Sequence, residues 1–375
     1  MKEGLDGGKD GKGKGRESEE YTLYSESAGD RKNLGMQNKS FTRFVEVEAW
    51  RKPEVANMAA IMGAVESACK GVATLVRRSM TDDLAGLYDT DGGDGGVNIQ
   101  GEAQKMLDIV SNRVMTQALC SPGGMSCVAS EEDEYPQMCA HVVGHSDFTG
   151  EYAAVFDPLD GSSNIGAGLP CGTIFGILKS PAGGKIGPRT ILQPGNQLLA
   201  AGYCLYGAQT SLVMTMGNGV HGFALDWERG EFVLTEPNIR IPLRGQMYSV
   251  NESNSVSWDG RIQDYVNDIK SGRGMSREKY TYRYAGALIA DVHSILRYGG
   301  IFAYPADSKN ANGKLRLLYE GNPIAFLMEQ AGGAATTGFE RILDVRPAST
   351  HQRVPCFFGS IEDVYELSAY LRRPL

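Results

Sequence analysis

Three short apolar runs in this chain each lead into carboxylates, and that repetition constrains the fold more than any other feature of the sequence. Residues 127–129 (Cys-Val-Ala) lead into Ser130-Glu131-Glu132-Asp133, residues 152–156 into Asp157, and residues 315–319 into Glu320. Short apolar runs that stop at acid, glycine or proline read as strands feeding loops. In open α/β sheets ligands sit outside the carboxyl ends of strands, so strand ends that carry acid describe a site as well as a sheet.

The second of these runs continues as Asp157-Pro158-Leu159-Asp160-Gly161-Ser162-Ser163-Asn164. Two carboxylates around a rigid proline can both turn toward one hard cation, and Mg²⁺ takes one or two carboxylates, waters and a substrate phosphate. Gly161, Ser162 and Ser163 then offer backbone N–H groups and hydroxyls to that phosphate. An isolated Asp-Pro-x-Asp is more often a surface turn. Here the preceding strand and the other strand-end acids, Glu131, Glu132 and Glu320, favour a metal cluster. For the run Glu131 to Glu134 alone, a solvated acidic loop remains the commoner explanation.

At 375 residues the chain is long enough for two packed domains or one large α/β unit. Val55, Met58, Ala59, Met62, Val65, Cys69, Val72 and Val76 recur at helical steps, predicting a long helix over 53–79. Residues 103–119 resume that spacing, while 89–96 read as an exposed loop. Core strands are expected over 198–216, and a hairpin over 220–234 turning at Glu228-Arg229-Gly230. Residues 286–297 read as a helix stopped by Gly299-Gly300. Asn322 is placed to cap a helix over 323–331, and Ser360 with Asp363 to form a capping box for the last helix. The expected division is a tail over 1–40, an N-terminal α/β domain over 41–195, and a C-terminal α/β domain over 196–375, with the boundary at Gln193-Pro194-Gly195.

A net charge of −8 argues against nucleic acid or an anionic membrane as partner, and an anionic substrate needs a local solution. Seven cysteines without metal-like spacing suggest reduced thiols, so no disulfide is expected. The start lacks the apolar segment of a secretory signal, and no later stretch reads as apolar enough to cross a bilayer. His141, His145, His221, His293 and His351 show no zinc-site spacing.

Beyond about Ser40 the sequence resembles the fructose-1,6-bisphosphatases, within the metal-dependent, lithium-sensitive phosphatases. The resemblance rests on FDPLDGSSN, GEAQKMLDIVSN over 101–112, SEEDE over 130–134, GTIFGI over 172–177 and QPGNQLLAAGY from Gln193. It continues through YSVNE from Tyr248, RYAGALIADVH from Arg283, and YGGIFAYPADSKNANGKLRLLYEGNP from Tyr298. It implies an α/β fold of layered α+β type, the αβαβα sandwich of two subdomains, and hydrolysis of the C1 phosphate of fructose 1,6-bisphosphate. It further implies two or more Mg²⁺ ions per site, with Mn²⁺ possible, held by Glu102, Glu131, Asp157, Asp160, Glu320 and the Leu159 carbonyl. Asp108 and Glu132 match the pair that orients and deprotonates the attacking water. Gly161, Ser162 and Ser163 match the cradle of the reacting phosphate, and Asn251, Tyr284, Tyr304 and Lys314 the positions around the sugar and distal phosphate. Arg283 matches an arginine that reaches into a neighbouring subunit of a homotetramer. The metal site falls in the first domain and the sugar-phosphate site in the second.

The sequence departs from the family in three places. Gly166 stands where an acid is usual. Val55, Asn57, Ala59 and Glu151 replace the groups of an AMP-inhibitory site, so AMP insensitivity is expected. Residues 180–192 lack the cysteines of the plastid redox loop. The expected compartment is the cytoplasm, with the plastid stroma as the alternative. Sedoheptulose-bisphosphatase activity, inositol monophosphatase activity and a catalytically silent scaffold are the weaker readings.

Overall fold

The computed structural model describes residues 39–51, 53–82, 84, 86, 105–144, 150–181 and 187–374. Its strands are β1 Met125–Ser130, β2 Gln137–Met138, β3 Tyr152–Asp160, β4 Cys171–Lys179, β5 Leu198–Tyr206, β6 Thr210–Thr215, β7 Val220–Asp226, β8 Glu231–Ile239, β9 Met247–Ser249, β10 Thr281–Tyr282, β11 Ile301–Tyr304, β12 Leu315–Arg316, β13 Ala334–Thr336, β14 Arg353–Val354 and β15 Cys356–Gly359. The helices are α1 Phe41–Arg51, α2 Ala59–Arg78, α3 Met106–Cys120, α4 Cys139–Val143, α5 Pro188–Ile191, α6 Gly260–Ser271, α7 Leu288–Tyr298, α8 Asn322–Gln330 and α9 Ile361–Leu371.

Among the described residues, β1 to β8 make one eight-stranded sheet in the order β2-β1-β3-β4-β5-β6-β7-β8. Within it β1 and β3 run parallel, and the other neighbours run antiparallel. A five-stranded sheet has the order β10-β9-β11-β15-β13, and β12 pairs with β14 apart from both.

Burial periodicity explains the layering. On α7, Ile289, Val292, Ile295 and Leu296 are fully buried and form one helical face. They share a core with Ile324, Leu327 and Met328 of α8, with Ile174, Tyr203 and Val213 of the large sheet, and with Phe302 and Phe358 of the small one. The two helices therefore lie between the sheets. The outer face of the small sheet packs Tyr248, Ile301 and Phe357 against Ile262, Tyr265 and Val266 of α6 and Val364 and Leu367 of α9. With α2 and α3 against the other face of the large sheet, the order is αβαβα, as the family resemblance implies.

The helices expected over 286–297 and 323–331 and the hairpin of β7 and β8 form where the periodicity predicts them; of the helix expected over 53–79, α2 occupies Ala59–Arg78 after a 3-10 turn over Pro53–Met58, and of that expected over 103–119 the described part is α3, while the loop expected over 89–96 lies outside the described residues. The expected domain boundary at Gln193-Pro194-Gly195 falls between β4 and β5, which pair along their length.

Other expectations are corrected. Asn322 is the first residue of α8 and makes no cap; its Oδ1 is buried without a partner. Ser360 does precede α9, but Asp363 turns into the core, accepting from Gly245 N at 2.9 Å and pairing with Arg244 at 3.1 Å. Asp363 is fully buried and Arg244 only partly so, and a buried carboxylate needs a cation and hydrogen-bond donors more than a helix terminus needs a cap. The segment Val55–Arg78 is long and apolar enough to cross a membrane, with a mean hydropathy of 1.4. In this fold it is a core helix: Ile61, Met62, Val65, Cys69 and Val72 are fully buried, and Glu66 in its middle pairs with Lys70. The expectation of uniformly reduced cysteines also fails, because Cys120 and Cys139 form a disulfide. Their pairing brings together the end of one helix and the start of another, which spacing along the chain does not reveal.

Candidate active site

Residues three apart on a regular strand point to opposite faces, yet Asp157 and Asp160 of β3 converge. The reason is a bulge: Asp157 pairs with Ile174 and Asp160 with Gly172, so three steps along β3 oppose two along β4. Leu159 N donates to Asp157 Oδ1 at 2.9 Å, and Thr173 Oγ1 donates to Pro158 O at 2.8 Å, fixing the bulge. Gly161 follows at φ 74°, and a Cβ there would lie 2.4 Å from Ala287 Cβ. Only glycine turns the chain there without displacing α7.

From Gly161 the chain enters a 3-10 turn over Ser162–Ala167. Asn164 Nδ2 ties this turn to Pro170 O and Ala285 O at 2.9 and 3.0 Å. The first turn of α7 faces the same place, with Ile289 N donating to Asp160 Oδ2 at 3.0 Å. Asp291, one turn in, accepts from Ala285 N and Gly286 N at 2.8 and 3.2 Å and so folds the approach to that helix.

Glu320 arrives differently from the sequence expectation. Only Leu315–Arg316 is strand, and Glu320 lies in a π-helical turn, Leu317–Gly321, that runs into α8. Arg316 N donates to Glu320 Oε2 at 2.5 Å across this turn. Such turns are frequent at functional sites because they re-aim a side chain out of helical register. Asp157, Asp160 and Glu320 each bring a carboxylate oxygen within 4.8 Å of the others. Glu131, at the end of β1, receives Arg316 Nη1 at 2.9 Å, and its own N–H donates to Phe156 O on the neighbouring strand.

Carboxylates gathered this closely resist ionisation. Burial pushes Asp160 up to about 7 and Glu320 up to about 8, with the charge of Glu131 adding to both. Asp157 is held well above the usual carboxylate range by burial, and then by Glu131, Asp160 and Glu320. Asp108 is raised to about 6 by burial, although hydrogen bonds to Lys105 N and the Ser162 side chain oppose the shift. An all-oxygen, like-charged, buried cluster fits a hard divalent cation, which would take the place of the protons.

A cavity of about 470 Å³ opens on this cluster, lined by Glu131, Glu132, Asp157, Leu159, Asp160, Gly161, Ser162, Ser163, Tyr284, Tyr304, Lys314 and Glu320. Asp108 is not on its wall but bonds to Ser162, which is. Asn251 is not on the wall either: its Oδ1 accepts from Ser253 N and Oγ at 3.3 and 2.6 Å, capping the next turn. Arg283 is exposed, away from the cavity lining. Glu102 lies outside the described residues.

Three residues of the site had escaped the sequence reading. Arg316 and Asp291 line the cavity, and Lys105, just before α3, donates from Nζ to Ser162 O at 2.7 Å, bracing the turn that follows Gly161. Arg316 is a cation inside an apolar run, and that was its one sequence signal.

Two family models match the chain: "Fructose-1-6-bisphosphatase, N-terminal domain" over residues 39–237 and "Fructose-1-6-bisphosphatase, C-terminal domain" over residues 241–372. The cytosolic fructose-1,6-bisphosphatase of Arabidopsis thaliana is 48% identical over 331 residues, 88% of this chain and 94% of that protein. Fructose-1,6-bisphosphatase 1, chloroplastic, of the same plant is 43% identical over 357 residues, 91% of this chain and 82% of that protein. The crystal structure of Leishmania major fructose-1,6-bisphosphatase in holo form superposes with a TM-score of 0.82 at 35% identity, covering 90% of this chain and 99% of that one.

Proposed function

Because the chain belongs to the fructose-1,6-bisphosphatase family, we propose a division of labour within its cavity for the reaction that follows from that membership. The chain is a phosphatase that hydrolyses fructose 1,6-bisphosphate to fructose 6-phosphate. Asp157, Asp160, Glu320, Glu131 and the Leu159 carbonyl hold Mg²⁺, with Mn²⁺ as a substitute and Glu102 as a further ligand. When bound, the cations withdraw charge from the phosphoryl oxygens of the substrate.

The chain's own groups do the rest. Backbone N–H groups and hydroxyls of Gly161, Ser162 and Ser163 receive the C1 phosphate. Lys314, Tyr284 and Tyr304 orient the sugar and its distal phosphate, and this is how a protein of net charge −8 accommodates a bisphosphate. Glu132, with Asp108, accepts the proton of the attacking water. The water oxygen bonds to phosphorus as the bond to the C1 oxygen breaks; the C1 oxygen takes a proton from solvent, and Glu132 returns the one it accepted to solvent, so no proton is gained or lost by the chain. What supports this reading is one cavity that carries both the carboxylate cluster and Lys314 with the two tyrosines.

Arg283, exposed and off the cavity, is read as reaching a second subunit of a homotetramer, and Asn251 as joining the sugar site in that assembly. The compartment is read as the cytoplasm, with the plastid stroma as the alternative, because relatives described as cytosolic and as chloroplastic are both similar to the chain. Parallel turnover of fructose and sedoheptulose bisphosphates with Mg²⁺ tests the assignment: the six-carbon sugar is the preferred substrate, and preference for the seven-carbon sugar would reassign the distal residues.

A further inference from the structure

His351 lies between two turns that carry members of the carboxylate cluster. Its Nδ1 is 2.5 Å from the hydroxyl of Tyr319, the residue before Glu320 in the π-helical turn. Its Nε2 is 3.3 Å from the carbonyl oxygen of Glu134, in the acidic turn that begins at Glu131. Glu134 O can only accept, so Nε2 carries the hydrogen, and in the neutral ring Nδ1 then accepts from the Tyr319 hydroxyl. One imidazole thus bridges the two turns.

The π-helical side of this bridge is firmly anchored. Tyr319 is fully buried among Cys127 and Ala129 of β1 and Ala153 and Val155 of β3, which fixes the place of its hydroxyl. The chain around His351 is held as well. Leu317 N donates to Gln352 O at 2.8 Å, β14 pairs Arg353 with Arg316 and Val354 with Leu315, and Gln352 Oε1 accepts from Ala348 N at 2.6 Å. The acidic turn reaches further into solvent. Asp133 accepts from Asn112 Nδ2 and Gln137 Nε2 at 3.0 and 2.7 Å, whereas the next residue, Glu134, is exposed and is met at its carbonyl by His351.

Glu131, Asp157, Asp160 and Glu320 repel one another, and this pushes the turn of Glu131 away from that of Glu320. Arg316 opposes the separation with a charge on Glu131. His351 opposes it with two hydrogen bonds and, as a neutral ring, adds no charge that competes with a cation. We propose that His351 is a positioning residue that clamps the acidic turn to the π-helical turn, so that cation affinity at the carboxylate cluster depends on its two hydrogen bonds. The proposal rests on the metal-site reading given above.

The test uses the full chain as wild type, His351→Ala, His351→Asn, Tyr319→Phe and the double variant Tyr319→Phe/His351→Ala, each checked by circular dichroism and thermal unfolding. Calorimetric titration with Mg²⁺ alone should show affinity about tenfold weaker in His351→Ala, as when an outer support of metal ligands is lost. His351→Asn, whose amide oxygen can stand where Nδ1 does, keeps the Tyr319 bond and should lose less. Tyr319→Phe should weaken binding on its own and add nothing to His351→Ala, because both remove the same link. The Mg²⁺ concentration for half-maximal turnover should follow the same order, while KM for the bisphosphate at saturating Mg²⁺ stays that of wild type. A role in packing alone would lower the melting temperature and leave Mg²⁺ affinity that of wild type in every folded variant. That result, or additive effects of the two substitutions on affinity, overturns the proposal and leaves the metal-site reading standing. If wild-type protein binds no Mg²⁺, the metal-site reading fails and the proposal falls with it. Tyr319→Phe and His351→Asn remove few atoms and decide the question even if His351→Ala does not fold.

Discussion

Arg316 Nη1 lies 2.9 Å from Glu131 Oε1, with side-chain exposures of 4% and 10%, while the backbone N–H of the same arginine holds Glu320 at 2.5 Å. One residue thus positions two carboxylates that arrive from distant parts of the chain, and it is a cation placed beside the proposed cations. Removing one member of a buried ion pair costs about 3–5 kcal/mol because the other is left uncompensated. Arg316→Leu should therefore lower the melting temperature of metal-free protein by several degrees, and saturating Mg²⁺ should recover most of the loss. Differential scanning calorimetry with EDTA and with Mg²⁺ checks this; an equal loss in both conditions would make Arg316 a packing residue only.

Acidity of the cluster sets a pH dependence. Asp108, Asp160 and Glu320 are raised to about 6, 7 and 8 in the folded chain, whereas unfolded carboxylates titrate near 4. Between those limits the folded state binds more protons than the unfolded state, so metal-free stability falls as pH rises from about 5 to 8. Below the unfolded values these groups cost nothing. Urea unfolding in EDTA should give a lower midpoint at pH 8 than at pH 5.5, and Mg²⁺ should remove or reverse the trend. The apparent Mg²⁺ affinity should rise over the same interval, since the cation competes with protons.

Charge removal at the proposed base should separate chemistry from binding. Glu132→Gln keeps shape and should lower kcat by about 10²–10⁴-fold, with KM for the bisphosphate within a few-fold of wild type. Lys314→Ala should show the opposite split, with KM raised about tenfold or more and kcat largely kept, because a charge-assisted bond to phosphate is lost. Steady-state kinetics at saturating Mg²⁺ distinguish the two; a pure kcat effect at Lys314 would move it to the reacting phosphate.

Glu151, where the family resemblance leads to a basic group for AMP, pairs with Lys179 at 3.2 Å, and Lys179 also lies 5.1 Å over the Tyr152 ring. The pair is solvent-exposed and weak, and it leaves an acid in the path of an incoming phosphate. Turnover should be insensitive to physiological AMP, and strong inhibition in a standard phosphate-release assay would contradict this.

Much of this site could be read from the sequence because each ingredient is local. The carboxylates of β3, the Gly161 turn and the helical face of α7 all follow from residues within a few positions of one another. What stayed hidden is non-local. That Asp157 and Asp160 turn to one cation was read from the proline between them, but the β3 bulge that achieves it depends on the register with β4. Glu320 read as a strand end because an apolar run precedes it; the π-helical turn forms where that run meets α8. Asp363 carries a capping signature but is claimed by Arg244, 119 residues away in sequence. The disulfide was invisible for the same reason. The turn at Gln193-Pro194-Gly195 read as a domain boundary, although the strands flanking it belong to one sheet.

The most direct test of the carboxylate cluster as the catalytic metal site is phosphate release from fructose 1,6-bisphosphate by wild type and Asp157→Asn, measured across a Mg²⁺ titration after chelation. Wild-type activity should be absent in EDTA and saturable in Mg²⁺, with fructose 6-phosphate as the sugar product. The variant, folded by circular dichroism, should be slower by at least about 10³-fold at the same Mg²⁺, as expected when a group acting on the transition state is removed. Undiminished turnover by Asp157→Asn, or full wild-type activity in EDTA, would contradict the account.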